Sequence, residues 1–499
     1  MLAIGLSLAA QSTYDNSRRT VLLGDVSGTM SQGVRYHLME ALAKTKRVNL
    51  YDGRMFNNIP QPAREKIKID AIFTAVVDSM PTRNVSRTGS TKYESRCYVT
   101  LSVRDPKTDK VVQKARLQGY GSDLSDINKA MDAAIMTIGN DLTGFLDDYY
   151  VVQAKILTID EVKNNKAQVV TIDVGSESSI HGKMNFHVYN AKDEQIGELE
   201  VKEITSGKRT SCSVKKGAEE IKTAIENNER LTVKSHKLGS LKELFVFEKN
   251  TSRLVDEPAS DCNKKHTLLY IGSAGDSEVL PYLDKMVLNE LIDTKRLYGL
   301  SVDQYNHLPA ERRASLKIDG LVYAMAGNPI VKSETREGFT SHKVEVNYML
   351  IITDMLTGEV LYAGDEYTRG SSTESRVLAY AKAFYTMGLF DYAIDCAYPI
   401  YTSISTVDEV SKKKAKSVTI PVGSNSSIYG SMRLLVYTQN GEGIWNEIGE
   451  LKVKKIIDGD KTSCTVKKGG EEIMTAMEEG AAIRVVTRPK SFLGGLLKL

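Results

Sequence analysis

Seven histidines are the residues of this sequence best suited to bind a metal ion or to transfer protons. Two of them, His181 and His187, are close enough along the chain to share a metal ion if their strands met. The chain contains a second copy of this segment, in which Tyr429 and Leu435 occupy the positions of His181 and His187. Because the repeat keeps its pattern without the imidazoles, we predict surface or core histidines and no metal site.

The glycine-rich segment Gly24–Thr29 superficially suggests a phosphate-binding loop. It lacks the lysine that reaches the β- and γ-phosphates in such loops. A strand that turns into a helix needs glycines in any case. The chain also has no Gly-x-Ser-x-Gly elbow of a serine hydrolase. We therefore predict no catalytic residue and no cofactor.

Five cysteines are widely spaced and include no Cys-x-x-Cys pair, which gives no support to a zinc ribbon or to thioredoxin chemistry. Cys212 and Cys464 occupy the same place in the motif Thr-Ser-Cys-x-Val-Lys-Lys-Gly. A reactive thiol would need a histidine or a helix N-terminus nearby. Side chains alternate between the two faces of a strand, and the cysteine of this motif falls on the inward face. We therefore expect both cysteines to pack as small apolar side chains.

The elements that carry these residues occur twice along the chain. The segment Ile196–Gly217 (IGELEVKEITSGKRTSCSVKKG) aligns without a gap with Ile448–Gly469 (IGELKVKKIIDGDKTSCTVKKG). Further upstream, Thr45–Arg47 corresponds to Thr294–Arg296. A register that holds over so many positions predicts an internal duplication.

The first part of each half has the pattern of an α/β domain. A buried strand, an amphipathic helix and two more strands precede a β-hairpin, which in the first half begins at Tyr98–Val103 and turns through Asp105–Asp109. A long helix closes the part, over Ile127–Leu146 in one half and over Val377–Ile394 in the other. These elements predict a layered α/β sandwich.

The second part of each half, Ala154–Ser235 or Ser403–Thr487, contains period-two strands separated by Gly and Ser turns. About 80 residues of this kind fit a small β-barrel. The predicted fold class is thus α+β or α/β in tandem duplicate. The predicted domains are a signal remnant and leader (1–20), an α/β domain (21–150), a β domain (151–237), a linker (238–265), a second α/β domain (266–402), a second β domain (403–490) and a tail (491–499).

Composition limits the function classes. The 499 residues carry a net charge of +3, with 66 basic and 63 acidic side chains, which gives no electrostatic attraction to nucleic acid. No run of about 18 apolar residues occurs, so we predict no transmembrane segment. The apolar segment Met1–Ala10, followed by polar residues, resembles a secretory signal peptide. We therefore predict a secreted protein in the periplasm or associated with the outer membrane.

In the α/β parts a strand and a helix are followed by a strand after KRV or KRL, a strand in IDAIF or IDGLV, and a hairpin whose turn is best seen in Asp354–Leu361 (DMLTGEVL). In this pattern the α/β parts resemble the curli-secretion lipoprotein family and its relatives, the outer-membrane activators of penicillin-binding proteins and the first domain of the translocation protein TolB. The β parts resemble the C-terminal domain of flagellar assembly protein T, in Val170–Ser176, Val188–Tyr189 and Ile196–Ile204. These resemblances imply cell-envelope proteins that assemble or dock on others without enzymatic activity.

The sequence thus predicts a non-enzymatic envelope scaffold or adaptor that binds envelope proteins in an assembly or secretion-type complex. A homo-oligomeric ring and a hydrolase with an unrecognised site are the two alternatives. Exposed aromatic and basic side chains are the candidate partner contacts, although packing between domains and solvated turns also explain them. These candidates are Tyr149, Tyr150, Tyr398, Tyr401, Lys215, Lys216, Lys467 and Lys468.

Overall fold

The computed structural model describes residues 16–87, 90–236, 263–294, 296–336, 339–385, 390–439 and 445–487. The predicted signal segment, the tail 491–499 and most of the predicted linker lie outside these residues. The described chain forms two similar halves, each with an α/β domain and a strongly curled β-sheet, so the predicted fold class is confirmed.

The first α/β domain is a six-stranded sheet with helices packed on one face. Its elements are β1 (Thr20–Gly28), α1 (Ser31–Thr45), β2 (Asn49–Asp52), a 3-10 helix (Phe56–Asn58), α2 (Gln61–Arg64), β3 (Ala71–Ser79), β4 (Thr82–Arg87), β5 (Ser90–Arg104), β6 (Val111–Asp123) and α3 (Ile127–Tyr149). β1 lies between β2 and β3 and is parallel to both. β5 is antiparallel to β3 and β4 along one edge and to β6 along the other.

The first β-barrel is a seven-stranded antiparallel sheet in the order β7-β13-β10-β11-β12-β9-β8. Its elements are β7 (Gln153–Ala154), β8 (Ile156–Lys163), β9 (Lys166–Ile172), β10 (Asn185–Tyr189), β11 (Gln195–Ser206), β12 (Arg209–Lys216), α4 (Ala218–Glu226) and β13 (Thr232–His236). Only Lys155 separates β7 from β8, so one continuous segment pairs with both ends of the sheet. The sheet therefore curls into a small barrel.

The second half repeats both strand orders. Its α/β domain contains β14 (Thr267–Ala274), α5 (Leu280–Asp293), β15 (Tyr298–Ser301), α6 (Val302–His307), α7 (Ala310–Ser315), β16 (Gly320–Ala326), β17 (Ile330–Arg336), β18 (Phe339–Asp354), β19 (Val360–Ser372), α8 (Arg376–Ala383) and α9 (Phe390–Ala397). Its barrel contains β20 (Tyr401–Thr402), β21 (Thr406–Ser411), β22 (Lys414–Ile420), β23 (Arg433–Gln439), β24 (Trp445–Ile456), β25 (Thr462–Lys468), α10 (Gly470–Glu478) and β26 (Ile483–Thr487). The duplication is therefore present in the structure as well as in the sequence.

The closing helix of the second α/β domain differs from its prediction. A single helix over Val377–Ile394 is wrong, because the structure has α8 and α9 there, with 386–389 outside the described residues. Phe384 has left the helical region, with φ −103° and ψ 33°, and ends α8. The sequence places Gly388 between the two helices, and glycine has a weak helical preference.

Among the described helices, none is both long enough and apolar enough to cross a membrane.

The two α/β domains stack in a head-to-tail order of sheet, helix, sheet and helix. Along β16, Leu321 and Tyr323 join the core of the first domain, whereas Val322 and Ala324 join the helices of their own domain. Side chains alternate across a strand, so the second sheet is buried on both faces. We call the face packed on the first domain the covered face.

The covered face meets α1, β2 and the 3-10 helix of the first half. The hydrogen bonds that join the domains include Leu50 N to Gly358 O (2.7 Å), Tyr51 Oη to Met355 O (3.1 Å) and Asn58 Nδ2 to Ile271 O (2.6 Å). The corresponding outer face of the first sheet, which we call the open face, lies at the surface. Thr74, at the position of the fully buried Tyr323, is only partly buried there.

Candidate partner-binding surfaces

The junction between α/β domain and barrel in the first half is organised by Arg47, whose guanidinium is fully buried. Its Nε donates to Oδ1 of Asp147 at 2.8 Å, and its Nη2 donates to the carbonyl of Tyr150 at 2.7 Å. Its Nη1 donates to the carbonyl of Ser179 in the barrel. One side chain therefore joins the turn after α1, the end of α3 and a barrel loop.

His181 adds a second contact to Asp147 at this junction. Its Nε2 lies 3.2 Å from each carboxylate oxygen of Asp147, and its ring is almost completely buried. Burial alone would raise the pKa of Asp147, but His181 and Arg47 together hold that pKa below its ordinary value. The arrangement is a buried polar network that fixes the barrel against α3.

The two histidines considered for metal binding have separate partners. His181 binds Asp147, whereas the ring of His187 stacks on His236 with a centroid distance of 3.5 Å. Burial lowers the pKa of His187, and the neighbouring His236 lowers it further. Within the described ranges, no group of three or more His, Cys, Asp or Glu side chains could hold a metal ion.

The second half has the same junction with different surroundings. Nη2 of Arg296 lies 3.2 Å from Oδ1 of Asp395 and donates to the carbonyl of Tyr398 at 2.8 Å. Its Nη1 donates to the carbonyl and the hydroxyl of Ser427 at 3.1 and 3.0 Å. Tyr429 replaces His181 in the aligned sequence. The arginine and the carboxylate are thus common to both junctions, and the imidazole is not.

Three of the four candidate tyrosines lie at these junctions. Tyr149 and Tyr150 contact each other with ring centroids 4.8 Å apart, and burial raises the pKa of Tyr150. Tyr398 packs on His266 at 4.3 Å and supplies a carbonyl to Arg296. These contacts favour interdomain packing as the role of the three side chains.

Tyr401 instead lines a cleft of about 370 Å³ at one end of the second barrel. Trp445 and Arg484 line the same cleft, with the guanidinium 4.3 Å from the indole centroid. Tyr, Trp and Arg are enriched at the binding hot spots of protein interfaces. Neither Trp445 nor Arg484 was predicted from the sequence, although Trp445 is the only tryptophan and begins β24, next to the segment in which the second copy is four residues longer.

The paired lysines lie at the ends of barrel strands. Lys215 and Lys216 lie at the end of β12 and form ion pairs with Glu200 and Glu198 of β11, at 3.1 and 3.0 Å. Lys467 and Lys468 hold the equivalent place on β25. Lysines 215, 216, 467 and 468 therefore line two separate strand ends, one on each barrel.

The glycine-rich segment forms the end of β1 and borders a cleft of about 450 Å³ on the open face. Gly28 has a φ of +97°, which explains a glycine at the strand end. Asp25, Arg54 and Arg104 also surround or adjoin this cleft, and Arg104 Nε donates to Asp109 at 2.8 Å. The cleft is therefore lined by charged side chains of both signs.

The cysteines of the repeated motif are buried free thiols. Burial raises the pKa of both Cys212 and Cys464 to about 12, so both are protonated at neutral pH. Each packs into the core of its own barrel, as expected from its alternating strand.

Comparison with known proteins leaves the family open. No protein-family model matches the chain, and no curated protein matches it. A minor lipoprotein from Acinetobacter baumannii is 12% identical over 26% of this chain and 94% of its own, with a TM-score of 0.19. The lipoprotein GNA1162 from Neisseria meningitidis is 13% identical over 22% of this chain and 86% of its own, with a TM-score of 0.15. Scores this low carry no argument about function.

Proposed function

We propose that this chain is a non-enzymatic scaffold of the cell envelope that binds other envelope proteins. The observation that carries the proposal is the cleft of the second barrel, where Tyr401, Trp445 and Arg484 meet on a rigidly held domain. An aromatic anchor beside an arginine provides a large contact area with little loss of side-chain entropy on binding.

The junctions support a scaffold because they restrain the barrels. Arg47 and Arg296 each connect three segments across a domain boundary, and the covered face of the second sheet joins the core of the first α/β domain. Surfaces on both barrels therefore keep a fixed separation. A partner that contacts two such surfaces gains avidity without new types of contact.

The envelope location is inferred from the sequence. Met1–Ala10 has the apolar character and the small residues of a secretory signal, and it lies outside the described residues. The resemblance of the α/β and β parts to envelope assembly proteins agrees with that location. A hydrolase is the alternative. Among the described residues the cleft of the open face is one place for its site, and there the carboxylate of Asp109 is bound to Arg104.

The proposal is tested with the tagged full-length chain in its native host. We expect it to fractionate with the envelope, and crosslinking with mass spectrometry to identify a reproducible envelope partner. Trp445→Ala should reduce that crosslink by about tenfold, as expected for a hot-spot residue. The matched control is Leu124→Ala, which removes an apolar side chain that is 73% exposed elsewhere on the molecule.

Two results would overturn the proposal. One is a chain that remains in the cytoplasmic fraction and crosslinks to nothing reproducibly. The other is a partner whose yield falls equally in Trp445→Ala and Leu124→Ala, because the barrel cleft would then contribute nothing specific.

A further inference from the structure

One face of α1 contacts the second α/β domain, and we call its residues Gln32, Tyr36, Glu40 and Lys44 the α1 stripe. Gln32 and Lys44, at opposite ends of the stripe, contact Gly275 and Asp365 of the second half. Residues three and four positions apart share a helix face, so this face is the one that meets the covered sheet face. The corresponding stripe on α5 is exposed at every position: Pro281, Lys285, Asn289 and Asp293.

The two stacked α/β domains therefore leave two surfaces exposed, each equivalent in the repeat to one side of the internal contact. One is the exposed stripe of α5 with the adjoining β15, and the other is the open face with the β5–β6 hairpin. Both surfaces expose apolar side chains whose counterparts are buried in the tandem. The matched exposures are Ile292 at 52% against Ala43 at 0%, Val76 at 48% against Met325 at 2%, and Val111 at 41% against Val360 at 1%.

One pair of opposite charges in the internal contact has a counterpart of reversed sign on the two exposed surfaces. In the internal contact, Lys44 on the helix binds Asp365 on the strand. The same register places Asp293 on α5 and Arg116 on β6, and both side chains are exposed. Here the acidic residue is on the helix and the basic residue is on the strand, the reverse of the internal pair. A contact between α5 of one chain and β6 of another would therefore again join opposite charges.

We infer that a second copy of this chain docks head to tail, with the α5 stripe of one molecule on the open face of the next. Such a contact is heterologous, so each added chain leaves the same two surfaces available, and the assembly grows as an open chain or closes as a ring. Thr74, Thr100 and Ser102 stand on the open face where the covered face has larger apolar side chains. The contact between molecules therefore buries less apolar surface than the internal one and is weaker.

The test is a charge exchange read by sedimentation velocity on the full chain, up to a concentration of about 100 μM. We expect the wild type to gain mass with concentration. Arg116→Asp and Asp293→Lys should each abolish that gain, because each places like charges opposite one another. The double variant should restore it, since it recreates the orientation of the internal Lys44–Asp365 pair.

The control is Lys461→Glu, which reverses an exposed charge on the second barrel and should leave self-association unchanged. A wild type that keeps the monomer mass throughout overturns the inference. So does self-association that survives both single reversals, or a double variant that stays monomeric. These outcomes are independent of the proposed partner binding, which is read by crosslinking to other proteins and does not use Arg116 or Asp293.

Discussion

Arg47 and Asp147 form an ion pair inside the first half, with Nε of the arginine 2.8 Å from Oδ1 of the aspartate. Their side chains are 0% and 6% exposed, although 100 residues separate them along the chain. Arg296 and Asp395 repeat the pair in the second half. Because each arginine also binds carbonyls of the neighbouring segments, the pair fixes the barrel to the α/β domain.

Arg47→Met should be strongly destabilising, because it leaves the carboxylate of Asp147 buried without its guanidinium partner. We expect a loss of about 3–5 kcal/mol in the free energy of unfolding, measured in urea. Arg104→Ala is the control, since the Arg104–Asp109 pair is far more exposed and should contribute at most about 1 kcal/mol. Equal losses in the two variants would contradict a structural role for the junction.

Glu40 should make the stability depend on pH. Burial opposes its ionisation, but His37 and Lys44, each 2.7 Å from a carboxylate oxygen, lower the pKa of Glu40 to about 2. A pKa below the unfolded value stabilises the fold above about pH 4.5, and this contribution is lost as the pH falls toward 2. We expect a decrease of roughly 1–3 kcal/mol across that window.

The measurement is urea unfolding at a series of pH values. Glu40→Gln should be less stable at pH 7 and should show a shallower decrease between pH 4.5 and 2 than the wild type. Glu229→Gln, at an exposed position of the first barrel, should follow the wild-type curve. An unchanged acid limb in Glu40→Gln would show that the contacts of Glu40 do not stabilise the folded state.

The left-handed backbone at Gly217 and Gly469 explains why the repeated motif has a glycine there. The φ of Gly217 is +73°, and a Cβ there would lie 1.8 Å from the carbonyl oxygen of Ile196. Gly217→Ala should therefore cost more than about 3 kcal/mol, the sum of a left-handed backbone and a backbone clash. Gly480→Ala is the matched control, with a φ of +67° and open space around the added carbon. It should cost only about 1 kcal/mol in the same unfolding assay.

Cys212 and Cys464 should resist alkylation in the folded protein. Burial keeps both thiols protonated, so iodoacetamide at pH 8 should leave both unmodified, as read by peptide mass spectrometry. Both should become modified within the urea unfolding transition. Ser424→Cys, at an exposed position, is the positive control. Modification of Cys212 or Cys464 before unfolding would show that the barrel opens locally.

The repeat and the alternation of apolar residues were enough to predict the two-part halves. Cys212 and Cys464 were expected to face inward because side chains alternate along a strand, and both do. The helix over Val377–Ile394 was mispredicted because apolar spacing continues past Phe384, where the backbone leaves the helical region. The tyrosines at the junctions could be located from their position between parts, but Trp445 could not be assigned to a cleft without its neighbours.

The sequence by itself determined the duplication, the order of elements and the inward face of each barrel strand, because these depend on local periodicity and turn residues. Only the tertiary structure decided that the halves stack head to tail. Thr74 and Tyr323 occupy the same place in the repeat, yet one lies at the surface and the other is buried between the domains. That difference depends on which domain covers which sheet, and such long-range packing has no signature in the spacing of residues along either copy.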